Sequence, residues 1–154
     1  MRAMGLDVGT KTVGVAVSDE LGMTGQAVVT VRRTNLRADL DALAALAVER
    51  EVDQLVVGLP MNMDGSEGPS AALARALGEK LAERTSLPVA YWDERLTTRE
   101  AQRTLLEADV SRARRRKVVD QVAAALILQG WLDARAHARG GAEDPASGGD
   151  WSDS

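Results

Sequence analysis

Two short runs of alternating residues, joined by a tight turn, constrain the fold of this 154-residue chain most strongly. Apolar residues at positions 4, 6 and 8, and again at 13, 15 and 17, flank a turn at residues 9–11. This period of two predicts an antiparallel pair of strands, each with one apolar face. Asp7 then lies on the opposite face of the first strand, where it either caps the hairpin or takes part in chemistry.

The rest of the chain alternates between strand and helix patterns. Strands are predicted at 27–31, 53–60 and 88–92, and helices at 36–47, 69–81, 97–106 and 117–138. Right-handed crossovers place the fourth and fifth strands parallel beside the first. The sequence therefore predicts an α/β fold, a mixed five-stranded sheet with helices on both faces.

The composition limits the domain count and the available chemistry. Residues 1–139 predict one domain, and 140–154, rich in Gly, Ser and Asp, predict a disordered acidic tail. Without cysteine and with a single histidine, the chain has no disulfide framework, thiolate zinc site or cysteine nucleophile. No apolar run approaches 18 residues and no signal peptide is evident, so we expect a cytoplasmic protein without a membrane partner.

Three carboxylates occupy positions that suggest a site. Asp7 lies within a strand, Glu94 ends the last strand beside Asp93, and Asp120 begins an apolar helix face. A buried carboxylate must be paired or bind a cation, so Asp120 forms a salt bridge with Arg116, accepts a hydrogen bond from the backbone, or is a metal ligand. Composition does not choose between Asp93 and Glu94, which could also form a polar strand end. Together the three would suit hard divalent cations and phosphoryl transfer.

Basic charge is concentrated next to Asp120, although the whole chain has a net charge of −4. Residues 95–117 contain eight basic and three acidic side chains, a net charge of +5. A cluster there either forms a solvated surface or neutralises a phosphate backbone. The candidates for phosphate contact are Lys11, Arg95, Arg112, Arg114, Arg115, Arg116 and Lys117.

Four segments resemble one family: residues 5–19, 57–69, 93–98 and 120–129 are similar to the YqgF family of bacterial nucleases. That family belongs to the RNase H-like superfamily and is described both as Holliday junction resolvases and as pre-16S rRNA nucleases. The resemblance implies an RNase H-like fold with a metal-dependent site. It assigns catalysis and the binding of Mg²⁺ or Mn²⁺ to Asp7, Glu94 and Asp120, and it leaves open whether Asn62, Asp64 or Asp93 assist.

The resulting hypothesis is a two-metal-ion nuclease, a hydrolase that acts on structured RNA. By resemblance, the expected substrate is the 5′ end of pre-16S rRNA during ribosome biogenesis, with branched DNA at a Holliday junction as the alternative. Two other classes stay open. One is a non-catalytic nucleic-acid-binding module, and the other is an ATP-using protein, because residues 7–10 resemble the phosphate loop of actin-like folds. The protein is expected to be a monomer or a homodimer.

Overall fold

The computed structural model describes residues 1–96 and 112–143, with side chains described at 1–96 and 122–138. These residues contain a five-stranded sheet in the order β3-β2-β1-β4-β5, in which β1 pairs antiparallel with β2 and parallel with β4. The predicted α/β fold is thereby confirmed. The strands are β1 (Ala3–Val8), β2 (Thr12–Ser18), β3 (Gly25–Arg32), β4 (Gln54–Leu59) and β5 (Val89–Asp93).

One face of the sheet carries the larger core. Helices α1 (Leu36–Glu49) and α2 (Pro69–Thr85) pack on it, because the alternation in β1 and β4 directs their large apolar side chains to this side. Leu6 and Val57 lie in adjacent strands and are fully buried there. The N-terminus of α1 is capped by Asn35, whose Oδ1 accepts a hydrogen bond from the amide of Ala38 at 2.9 Å.

The opposite face is covered by the long helix α3 (Arg112–Glu143). Small residues on the strands let this helix approach the sheet closely. At Gly5, a Cβ would lie 2.8 Å from Leu128 Cβ and 2.9 Å from the carbonyl oxygen of Ala124, closer than real Cβ atoms approach their neighbours. Asp7 follows two residues later in β1, so it lies on the α3 face.

The helix boundaries correct two sequence predictions. Residues 112–116, expected as a polar connection, are already helical, because Arg and Ala are good helix formers even without an apolar stripe. Residues 140–143, expected as the start of a disordered tail, continue α3. The remaining tail and the helix predicted at 97–106 lie outside the described residues, and the domain boundary at 139 stays a prediction. Among the helices that are described, none has the length and apolar character needed to cross a membrane.

Candidate active site

Asp7 and Glu94 meet at the edge of the sheet where β1, β4 and β5 end. Asp7 is near the end of β1, and Glu94 begins the single 3₁₀ turn Glu94–Leu96 after β5. Strand β4 lies between them, and it carries Gly58 at the intervening position. A Cβ at Gly58 would come 3.1 Å from Glu94 Cγ. The missing side chain therefore leaves the space through which Glu94 reaches Asp7.

The two carboxyl groups share a hydrogen bond, which requires that one of them carries a proton. Burial, the negative charge of Asp7, the hydrogen bond to Asp7 and the charge of Asp93 together raise the pKa of Glu94 to about 7, burial contributing most. Two adjacent carboxylates supply the hard oxygen donors that Mg²⁺ and Mn²⁺ prefer, and a cation there would replace the shared proton. The pair therefore fits a divalent metal ion.

The third predicted carboxylate, Asp120, lies on α3 one helical turn before Ala124. The carbonyl of Ala124 faces Gly5 in β1. The side chain of Asp120 is not among the described ones, so its role stays a prediction. Within the described side chains, no group of three or more His, Cys, Asp or Glu could hold a metal ion.

Asp93 has a different partner from its neighbour Glu94. The guanidinium of Arg95 donates to Asp93 Oδ2 from Nη2 at 2.6 Å and from Nε at 2.9 Å. These hydrogen bonds from Arg95 hold the pKa of Asp93 below its usual value. The structure thus separates two acids that composition did not distinguish, because Asp93 pairs with Arg95 whereas Glu94 faces Asp7.

Asn62 and Asp64 stabilise the loop that follows β4, which we call the 61–67 loop. Asn62 Nδ2 donates to Ser66 Oγ at 2.9 Å, and Asp64 Oδ1 accepts from the Ser66 hydroxyl at 2.6 Å and from its amide at 2.9 Å. These contacts are internal to the loop. A contribution of either residue to substrate binding stays a prediction.

Comparison with known proteins decides the family. The model of the family described as "RuvX: Holliday junction resolvase" matches residues 1–134. The chain belongs to the RuvX family. This is the YqgF family that the four motifs indicated, so the expected membership is confirmed. A RuvX-family chain of this kind is a nuclease, a hydrolase acting on phosphodiester bonds.

Curated relatives share most of their length with this RuvX-family chain. A protein of Myxococcus xanthus is 66% identical over 134 residues, which cover 87% of this chain and 89% of the relative. One of Symbiobacterium thermophilum is 60% identical over 136 residues, which cover 88% and 94%. Both carry the name "Putative pre-16S rRNA nuclease".

Two solved resolvase structures have a similar fold. A Thermus thermophilus RuvC bound to a Holliday junction substrate aligns with a TM-score of 0.60 at 14% identity, covering 89% of this chain and 96% of that one. The fowlpox virus resolvase bound to Holliday junction DNA aligns with a TM-score of 0.53 at 10% identity, covering 88% and 99%. These matches support the predicted RNase H-like fold.

One structural element of this RuvX-family chain was not predicted from sequence: a buried ion pair behind the 9–11 turn. Asp39 is only 2% exposed, and its Oδ2 accepts from Arg33 Nε at 3.2 Å. Arg33 also donates from Nη1 to the carbonyl of Gly9 at 3.0 Å and from its amide to the carbonyl of Lys11 at 2.8 Å. The pair therefore fixes the turn that carries Lys11, at the same edge of the sheet as Asp7. An acid in the first turn of α1 is common as a cap, so the sequence held no signal for this contact.

The predicted phosphate-binding residues fall into three groups. Lys11 is exposed on the 9–11 turn, at the same edge of the sheet as Asp7. Arg95 forms a salt bridge with Asp93. To bind a phosphate, the Arg95 guanidinium would have to break this salt bridge or contact the phosphate and Asp93 at the same time. Residues 112–117 begin α3, and their side chains are outside the described set. Phosphate binding by all three groups stays a prediction.

Proposed function

We propose that this nuclease trims the 5′ end of pre-16S rRNA in the cytoplasm, using Mg²⁺ or Mn²⁺ held by Asp7, Glu94 and Asp120. The observation that carries the proposal is the Asp7–Glu94 carboxyl pair at the edge of an RNase H-like sheet. Membership of a nuclease family implies dependence on a divalent cation in general. The name shared by the curated relatives supports the rRNA substrate.

The residues around the pair have separable tasks in this proposal. A divalent cation bound there would activate a water molecule and stabilise the leaving oxygen. Asp7 and Glu94 would supply oxygen ligands to that cation, and the proton that they share would be released to solvent. Arg33 and Asp39 hold the 9–11 turn, so that Lys11 can meet a phosphate of the bound strand. The cluster at 112–117 neutralises further phosphates.

A branched DNA substrate is the second candidate. The description of the family as a Holliday junction resolvase favours it. The chemistry at the carboxyl pair would be the same, because both substrates present a phosphodiester. A purely non-catalytic binding module is disfavoured by the pair itself, since a partly buried acidic pair weakens the binding of a phosphate backbone and would be strengthened as a binding site only by a cation.

The test compares cleavage of two labelled substrates, a pre-16S rRNA fragment with its 5′ extension and a four-way DNA junction. Each is incubated with Mg²⁺, with Mn²⁺ and with EDTA. We expect metal-dependent cleavage of the RNA, its loss in Asp7→Asn, and its retention in Asp53→Asn, a control at the opposite end of the sheet. Preferential cleavage of the junction would favour the second candidate. Binding of both substrates without metal-dependent cleavage would contradict the nuclease assignment.

A further inference from the structure

An exposed apolar side chain lies at the tip of the 61–67 loop. Met63 is 92% exposed, more than any other large apolar side chain that the structure describes. Leu96, at the end of the 3₁₀ turn that carries Glu94, is 62% exposed. Isolated exposed apolar residues are common on protein surfaces. These two are distinguished by their position, because both lie at the sheet edge that carries the carboxyl pair.

The loop that presents Met63 is held by its own hydrogen bonds. Met61 and Glu67 form a β-bridge that closes it, and the amide of Asn62 donates to the carbonyl of Ser66 at 2.8 Å. Glu67 in turn accepts two hydrogen bonds from Arg75 of α2, at 2.6 and 2.7 Å. A ligand that contacts Met63 therefore meets a preorganised surface, and little conformational entropy is lost on binding.

Arg95 connects this loop to the carboxyl pair. Its Nη1 lies 3.4 Å from the carbonyl oxygens of both Asn62 and Met63, while the rest of the guanidinium binds Asp93. The loop tip therefore lies at the same end of the sheet as the carboxyl pair, where β4 and β5 end. The nucleotides on one side of a phosphate bound at the pair would then pass over Met63.

We propose that Met63 packs against an unstacked nucleobase near the cleavage site, with Leu96 as a second exposed apolar side chain at the same end of the sheet. This inference rests on the proposed nuclease function. It implies that the substrate is single-stranded or distorted next to the cleavage site, and not a continuous duplex. Methionine is unbranched and polarizable, and apolar side chains of this kind insert between base steps in nucleic-acid complexes. Every base has an apolar face, so the contact selects unpaired structure and not sequence.

The experiment measures binding and cleavage with the same set of variants. The substrate is an RNA hairpin with a single-stranded 5′ extension that contains 2-aminopurine, and a fully paired duplex serves for comparison. Met63→Ala and Met63→Gln remove the apolar contact, whereas Met63→Leu preserves it. Met23→Ala is the matched control, because Met23 is 64% exposed in the β2–β3 connection at the opposite end of the sheet.

We expect Met63→Ala and Met63→Gln to raise the KM for the extended hairpin about tenfold, the equivalent of 1.4 kcal/mol, with kcat nearly unchanged. They should also abolish the change in 2-aminopurine fluorescence that the wild-type protein produces in EDTA. Met63→Leu and Met23→Ala should behave as wild type, and the KM for the duplex should change little in any variant.

Two results would overturn the inference. The first is a KM and a fluorescence response in Met63→Ala that equal those of the wild type. The second is an equal loss of RNA binding in Met63→Leu and Met63→Ala, which would indicate a general disturbance of the loop. The fluorescence measurement needs no cleavage. A wild-type protein that binds the extension through Met63 but cuts nothing would therefore contradict the proposed function and leave this inference standing.

Discussion

Replacing Glu94 by Gln should stabilise the metal-free protein at alkaline pH, although it removes a residue that we place in the active site. The pKa of Glu94 is raised from its ordinary value of 4.5 to about 7, first by burial and then by the charge of Asp7. The folded state thus holds this proton more tightly than the unfolded chain does. Ionisation of Glu94 therefore lowers the free energy of unfolding.

The size of the effect follows from that pKa. At 1.36 kcal/mol per pH unit, this rise in pKa corresponds to a change of about 3 kcal/mol in the free energy of unfolding for a fully buried carboxyl group. Glu94 is only partly buried, and water screens its repulsion from Asp7, so we expect about 1–2 kcal/mol. The stability that the protonated form provides is fully present below pH 4.5 and is lost as the pH rises through 7. Gln has no proton to lose, and its amide can donate to Asp7.

The assay is urea unfolding in EDTA, followed by circular dichroism at steps from pH 4 to pH 8. Glu94→Gln should match wild type near pH 4 and unfold at higher urea at pH 8. Glu67→Gln is the control of opposite sign, because hydrogen bonds from Arg75 lower the pKa of Glu67 and its ionised form is the stabilised one. A midpoint difference that is the same at pH 4 and pH 8, or a loss of stability at pH 8, would refute repulsion between Glu94 and Asp7.

Three further predictions concern the surroundings of the pair. Gly58→Ala places a methyl group against Ile127 and Glu94 and should cost about 1–3 kcal/mol in urea unfolding. Gly68→Ala has its nearest neighbour at 3.6 Å and loses only the N-cap preference for Gly, so it should cost less than about 1 kcal/mol. Asp39→Asn removes the buried carboxylate that binds the partly buried Arg33 and should cost about 2 kcal/mol by the same measurement. Asp41→Asn, in an exposed ion pair, should cost less than about 1 kcal/mol. Replacing the basic side chains of 112–117 by Ala should weaken RNA binding. The slope of log affinity against log salt concentration should become shallower by roughly 0.7 for each lost contact. An unchanged slope in a salt titration would exclude phosphate contacts there.

The architecture was predictable because its signals are local. The alternation around residues 9–11 specifies β1 and β2, and the continuous apolar run at 53–60 marks a strand covered on both faces. The change to helical spacing at Leu36 marks α1. The boundaries of α3 were harder, because its first turns contain basic residues whose helix propensity is high but whose apolar stripe is missing.

The site was only partly predictable, because its geometry depends on contacts between distant segments. Residue pattern alone indicated Asp7 and left Asp93 and Glu94 undecided, and only the family resemblance selected Glu94. The choice depends on Gly58, whose missing side chain opens a path across β4, and on Arg95, which pairs with Asp93. Such an arrangement appears only when three strands are placed side by side.

Titration of Mn²⁺ into the metal-free protein, followed by calorimetry, tests the central claim most directly. We predict saturable binding by the wild-type protein, its loss in Asp7→Asn and a marked weakening in Asp120→Asn, with Asp53→Asn binding as wild type does. Binding should also release protons at pH 6, where Glu94 still holds one that the metal must displace. A wild-type protein that binds no Mn²⁺, or an Asp7→Asn variant that binds it equally well, would contradict the assignment of this carboxyl pair as the metal site of the nuclease.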